Sequence, residues 1–323
     1  MPPQSAAPAQ LSLLDDVTRP TLRDIANAVR DASVDALPSA RRLADEARYQ
    51  EVRVRSALAR VQAPNMPFRW ALNPYRGCTH ACEYCYARKY QWHLELGAGD
   101  EFSSVILVKA NLVAVLAREL ARPGWQRDVV AVGTATDPYQ PIEGHYKLTR
   151  QAIELFTRAR TPFHIVTKGP MVVRDADVLA AASKTVACRV YVSVPCVDDD
   201  VWTRLEPGTA PPMKRLRAVR HLIDAGIDAG VLMMPLVPGI STSRAIVERT
   251  LAAIADAGAR FVGANVARFE DGARRHFFAF LAREYPELVE GYERLYTRNS
   301  PPKGYVGEIT DMVRAAAARI CAT

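Results

Sequence analysis

The sequence predicts an α/β protein built mainly of parallel strands, and two observations carry that prediction. Short apolar runs alternate with longer amphipathic stretches whose apolar residues recur at i, i+3, i+4 and i+7, and the polar, chemically capable residues gather just past the ends of the apolar runs. Alternating strands and helices imply parallel strands joined by right-handed crossovers. The strand candidates are "FRWALN" (68–73), "SVILVK" (104–109), "DVVAVGT" (128–134), "FHIVTK" (163–168), "RVYVSVP" (189–195), "AGVLMMPLV" (229–237) and "FVGANV" (261–266). Between them lie helical stretches such as "HYKLTRQAIELFTRAR" and "PPMKRLRAVRHLIDAG", the latter closing on a good helix stop. About six such units suit a β/α barrel, complete or incomplete, with a doubly wound open sheet as the alternative that pattern alone leaves.

Outside this region, residues 1–20 are rich in Pro, Ala, Gln and Ser and read as a disordered tail. Residues 21–65 are charged and helix-compatible, interrupted at Pro38, and read as an N-terminal helical extension. The core spans 66–270, and helical patterns over 274–294 and 308–320 make 271–323 a C-terminal helical cap. At 49% hydrophobic and 24% charged residues over 323 positions, the chain has the composition of a folded domain with a large core. It has no run of about 18 apolar residues to span a membrane and no basic start followed by an apolar stretch to direct secretion. The expected location is the cytoplasm. The net charge of +7 is compatible with a polyanionic partner, but the arginines are scattered. No glycine-rich phosphate loop is present.

Chemistry concentrates in "NPYRGCTHACEYCYAR" (73–88), where Cys78, Cys82 and Cys85 fall within eight positions. Cys188, Cys196 and Cys321 stand alone and read as packing thiols. Disulfides are rare in cytosolic proteins, and clustered thiolates are soft ligands for zinc or iron–sulfur centres. Structural zinc takes four protein ligands, for which His80 would have to complete a Cys3His set without a second knuckle. A 4Fe–4S cluster held by three cysteines keeps one iron open for a small molecule. At other strand ends stand Asp137, Lys168, Ser193 and Cys196, so the thiols, a carboxylate, an ammonium and a hydroxyl should meet at one mouth.

"CTHACEYC", with an aromatic residue before its third cysteine, resembles the signature of the radical S-adenosylmethionine (SAM) superfamily. The stretches "GTATDPYQPIEGHYKLTR", "TKGPMVVRDADVL", "LEPGTAPPMKRL" and "MPLVPGI" are similar to its spore photoproduct lyase-like (DNA repair photolyase-like) branch, over roughly 66–270. The resemblance implies a partial (β/α)6 barrel. It also implies a 4Fe–4S cluster on Cys78, Cys82 and Cys85, with SAM on the open iron and reductive cleavage to a 5′-deoxyadenosyl radical in a lyase-like or transferase-like enzyme. Tyr84 and Tyr86 are then expected beside the cluster and the adenine. Thr136, Lys168 and Ser193 would hold the methionine and ribose ends, and Asp137 would position SAM or substrate unless it is only the turn residue before Pro138. A small electron-donor protein of flavodoxin or ferredoxin type is the implied partner, and damaged or modified nucleic acid the leading substrate class. Radical modification of a protein or small molecule, and a non-catalytic zinc or iron–sulfur protein, are the alternatives. One departure matters: where the characterised lyase has a cysteine that returns a hydrogen atom to the product, this chain has Thr134.

Overall fold

The computed structural model describes residues 43–63, 66–94 and 99–320. The expected tail over 1–20, most of the N-terminal extension and Cys321 lie outside the described residues.

The principal sheet has seven strands in the order β10-β9-β8-β7-β6-β3-β2. They are β2 (Leu58–Arg60), β3 (Trp70–Leu72), β6 (Val130–Val132), β7 (Phe163–Thr167), β8 (Cys188–Ser193), β9 (Asp228–Leu236) and β10 (Val262–Val266). Every pairing from β3 to β10 is parallel, and β2 is antiparallel on the outer side of β3. The six parallel strands therefore lie side by side in chain order, as in a partial (β/α)6 barrel. A doubly wound sheet reverses its strand order at a switch point, and this one does not, so that alternative is excluded. Among the described residues the sheet is open: β10 pairs only with β9 and is not joined to β2.

Two segments differ from expectation. The run 104–109 forms β5 (Val105–Lys109), but in a separate three-stranded sheet, between β1 (Arg48–Val52) and the two-residue β4 (Tyr75–Arg76). Within the extension expected to be helical, residues 48–52 and 58–60 are strands. Their charged composition suits a helix, but the edges of β5 and β3 offer backbone hydrogen bonds, and tertiary pairing overrides so weak a local preference. The C-terminal region is helical at Asp271–Glu284, Val289–Leu295 and Lys303–Ile320.

The main core fills the space between the sheet and its helices. Val130, Ala131 and Val132 are at most 1% exposed, and Phe156 stacks on Phe163 with centroids 5.4 Å apart. A second apolar cluster, rich in aromatics, lies under the C-terminal helices: Phe269, Phe277, Phe280, Tyr292 and Tyr296 pack together with Val237 and Ile240. Cys82, Tyr84 and Cys196 belong to this second cluster.

Candidate active site

Chain leaving β4 must turn sharply to present the first thiol. Gly77 has φ +82°, and a Cβ there would lie 2.5 Å from the Val105 carbonyl oxygen, so only glycine fits. The loop then folds back on itself, with Ala81 N–H donating to Cys78 O (3.3 Å) and Cys85 N–H to Cys82 O (3.2 Å). Ala81 sits at φ 52°, a left-handed conformation that costs a non-glycine residue about 1–2 kcal/mol. Fully buried Arg88 fixes this shape by donating to Ala81 O and Cys82 O, each at 3.1 Å, and to Gly99 O at 2.8 Å. Cys78 and Cys82 are buried and Cys85 half-buried. Burial pushes both buried thiols up, Cys82 to about 12 although Lys168 draws it down.

A second loop, residues 206–209 after the helix Asp199–Leu205, meets the cysteine loop. Glu83 N–H donates to Leu205 O (2.9 Å) and Gly208 N–H to His80 O (3.1 Å). The approach is so close that a Cβ on Gly208 would lie 2.1 Å from Thr79 O.

That loop also carries the site's central carboxylate, Glu206. It accepts a hydrogen bond from the Tyr84 hydroxyl and a charge-assisted one from Arg215, and its Oε1 lies 3.8 Å from Lys168 Nζ. Lys168 Nζ donates to Ser193 Oγ (2.9 Å) and stands 5.6 Å from the Tyr84 ring centroid. Ser193 Oγ in turn donates to Met234 O (3.0 Å). Arg215, 0% exposed, also donates to Ser193 O (2.8 Å), Ala210 O (2.8 Å) and Thr209 Oγ1 (3.0 Å). Burial pushes the Glu206 carboxyl up, but Arg215 and Lys168 outweigh it and leave the group below its usual range. Burial opposes the Lys168 ammonium, yet Cys82 and Glu206 hold its proton more tightly than usual. The structure thus gathers Tyr84, Lys168 and Ser193 around a buried ion pair that sequence reasoning missed. A signal existed: Arg215 stands in line with Ala218, Val219 and Leu222, on the apolar stripe of its helix, where a guanidinium needs a buried partner.

Asp137 has both oxygens engaged within the protein. Oδ1 accepts from Thr167 Oγ1 (2.6 Å) and Tyr139 N–H (2.9 Å), Oδ2 accepts from Lys168 N–H (2.6 Å), and His80 Nδ1 lies 3.3 Å from Oδ2. Burial raises its pKa, but His80 and these hydrogen bonds bring it down to about 2. It ties the end of β6 to the end of β7. The Thr136 hydroxyl is likewise engaged, donating to Gly77 O at 2.6 Å. Tyr86 differs from Tyr84: it is 45% exposed at the rim, and its hydroxyl donates to the backbone oxygen of Thr134. Asn73 shapes that rim, accepting from Ala135 N–H (2.8 Å) and donating to Thr134 Oγ1 (3.4 Å).

Cys196 and several other polar residues are engaged in packing, pairing or capping. Cys196 is 4% exposed in the second apolar cluster, its thiol pushed up to about 12 by burial. His145 packs edge-on to Tyr146 and His164 edge-on to Tyr191. Asp198 caps the helix Asp199–Leu205 by accepting from Val201 N–H, and it pairs with Arg249.

The donor set fits an iron–sulfur cluster better than zinc. His80, which a Cys3His site would need as fourth ligand, faces Asp137. Among the described residues no three His, Cys, Asp or Glu side chains are gathered around one point as a single ion requires. Beside the thiols, buried Thr79 Oγ1 has no hydrogen-bond partner, and the sulfurs of a cluster accept hydrogen bonds.

The sequence profile of the radical SAM superfamily matches residues 72–248. An uncharacterised protein of Mycobacterium tuberculosis is 39% identical over 251 residues, covering 77% of this chain and 74% of that one. A protein of Pseudomonas phage M6 named radical SAM Nalpha-GlyT isomerase is 25% identical over 238 residues, 70% of this chain and 45% of its own. Spore photoproduct lyase, solved with bound AdoMet and dinucleoside spore photoproduct, superposes with a TM-score of 0.65 at 18% identity, over 88% of this chain and 83% of that one. Its fold is the fold described above. No helix among the described residues is long and apolar enough to cross a membrane. The match over more than half of the chain and the 39% identity to a relative along most of its length agree with the geometry: this protein belongs to the radical SAM superfamily of enzymes.

Proposed function

We propose that this protein binds a 4Fe–4S cluster on Cys78, Cys82 and Cys85 and cleaves SAM to act on a damaged or modified nucleic acid. The observation that carries the reading is the convergence of three thiols, with no fourth protein ligand among the described residues, with the Lys168–Ser193–Glu206–Tyr84 group at one mouth. A bound cluster, reduced by a flavodoxin- or ferredoxin-type protein, would pass one electron to the sulfonium of bound SAM, whose carbon–sulfur bond would break to give methionine and a 5′-deoxyadenosyl radical. The chain's own part is to hold and to shield. Lys168 donates to the carboxylate of the methionine end, and Ser193 fixes the direction of that ammonium. Glu206 keeps Lys168 charged and, itself anchored by Arg215, holds Tyr84 immobile, which limits motion around the reacting atoms. Asp137 and Thr136 act by positioning the loops that bear them. Tyr86, open at the rim, offers a ring on which a nucleobase can stack. Nucleic acid is further supported by the structural neighbour's bound dinucleoside spore photoproduct and by the net charge of +7.

The experiment is anaerobic incubation of reduced protein with SAM, following 5′-deoxyadenosine, in the presence of lesion-bearing and intact oligonucleotides. Release stimulated by one nucleic-acid class supports the reading; SAM left untouched contradicts it. Lys168→Ala is expected to weaken SAM binding at least tenfold, about 1.4 kcal/mol, with iron content unchanged; equal affinity by calorimetry would remove Lys168 from the SAM site.

Thr134 limits which reaction is completed. Its hydroxyl holds hydrogen far more tightly than a thiol does, and Cys196 is packed away. The wild-type protein is therefore expected to cleave SAM without restoring thymidylyl-thymidine from the dinucleotide spore photoproduct. Thr134→Cys is expected to gain that activity, measured by chromatography of the products. Efficient repair by the wild type would show that another group donates the hydrogen.

A further inference from the structure

Gln140 is 0% exposed and lies on no strand end, yet its side-chain amide reaches both peptide groups that flank Cys78. Its Oε1 accepts from Thr79 N–H at 3.2 Å, which belongs to the Cys78–Thr79 peptide. Its Nε2 donates to Gly77 O at 3.3 Å, which belongs to the Gly77–Cys78 peptide, and to Thr136 Oγ1 at 3.0 Å. Thr136 Oγ1 donates to the same Gly77 oxygen at 2.6 Å. The other two groups of these peptides are also held, Cys78 N–H by Phe102 O (3.0 Å) and Cys78 O by Ala81 N–H (3.3 Å). Only an amide can serve here. One end meets an N–H and must accept, while the other meets a carbonyl and must donate, which also fixes which way the amide is turned.

We propose that Gln140 is a positioning residue for the cluster, clamping both peptides around Cys78 so that its thiol stands ready in the geometry the iron requires. This rests on the reading that Cys78 is a cluster ligand. Gln140 touches neither thiol nor SAM and acts through the backbone. The two peptides cannot rotate about Cys78 without breaking hydrogen bonds that no water can replace in a buried site. Free rotation would let the Cys78 sulfur turn away from Cys82 and Cys85, and the orientation of peptide dipoles next to a ligand also tunes an iron–sulfur centre.

The test compares wild type with Gln140→Met, which keeps length and removes all three hydrogen bonds, and with Gln140→Glu, which keeps the acceptor and loses the donor. Each is reconstituted anaerobically with ferrous iron and sulfide; iron per chain, the electron paramagnetic resonance of the reduced cluster and cooperative melting of the metal-free chain are measured. Gln140→Met is expected to melt cooperatively, to bind less than half the wild-type iron and to show altered g values, and Gln140→Glu to shift less in the same sense. Full iron loading and a wild-type spectrum in both variants would overturn the proposal. Should neither variant melt cooperatively, Gln140 is only structural and the proposal falls. A wild-type chain that takes up no cluster would instead overturn the cluster reading itself.

Discussion

Phe277→Ala is expected to destabilise the protein by roughly 3–5 kcal/mol and to lose most of the bound iron, although Phe277 is almost two hundred residues away from the cysteines in sequence. Its ring is 0% exposed, stacks on Phe269 at 4.2 Å and lies 5.7 Å from both Phe280 and Tyr292. The same apolar cluster encloses Cys82 and Tyr84. Polar links run in parallel: His276 Nε2 lies 2.5 Å from Glu83 Oε2, between two of the cysteines, and Lys89 pairs with Glu270 at 2.6 Å. Truncating Phe277 leaves a cavity directly behind the cysteine loop. The matched control is Phe156→Ala, which removes an equally buried ring from the main core, where it stacks on Phe163. Both variants should lose comparable stability by denaturant titration, but only Phe277→Ala should lose iron on anaerobic gel filtration. Equal iron retention would show that the C-terminal helices do not support the loop.

Arg215→Met has the second largest expected effect. It strands Glu206, a carboxylate buried at 3% exposure, with only the more distant Lys168 ammonium at 3.8 Å to offset its charge. Breaking one side of a buried pair costs roughly 3–5 kcal/mol. Replacing both partners, as Glu206→Leu with Arg215→Met, is expected to return much of that stability, since an apolar pair demands no charge compensation. SAM affinity should not return, because Lys168 and Tyr84 remain without the group that orients them. Thermal melting and SAM titration of the two single variants and the double variant check this. Recovery of both properties together would make the ion pair a stability device and nothing more.

The contrast between Phe277 and Cys82 shows what the sequence could and could not disclose. The cysteine spacing and the periodic runs are local, so the loop and the strands of the parallel sheet could be read directly. Glu206, Arg215, Arg88 and Gln140 derive their roles from partners distant in the chain, such as Tyr84 with Glu206 at a separation of 122 residues. A linear reading records residue types but not such distances. Tyr84 and Tyr86 look equivalent in "EYCY", yet one is locked against Glu206 and the other is open at the rim. Likewise β1 and β2 depend on the free edges of β5 and β3, which lie farther along the chain. Asp137 could be read either as a turn residue or as a site residue, and its geometry explains why: it accepts from Tyr139 N–H within its own turn while reaching His80 beside the thiols.

Electron paramagnetic resonance of the anaerobically purified, reduced protein, recorded with and without SAM alongside iron and sulfide analysis, tests the central claim most directly. About four irons and four sulfides per chain are expected, with a cluster spectrum that changes when SAM is added. That spectrum should be lost in Cys78→Ala, Cys82→Ala and Cys85→Ala but not in Cys188→Ala. Colourless protein with stoichiometric zinc, or a cluster whose spectrum ignores SAM, would contradict SAM binding at a cluster on these three cysteines.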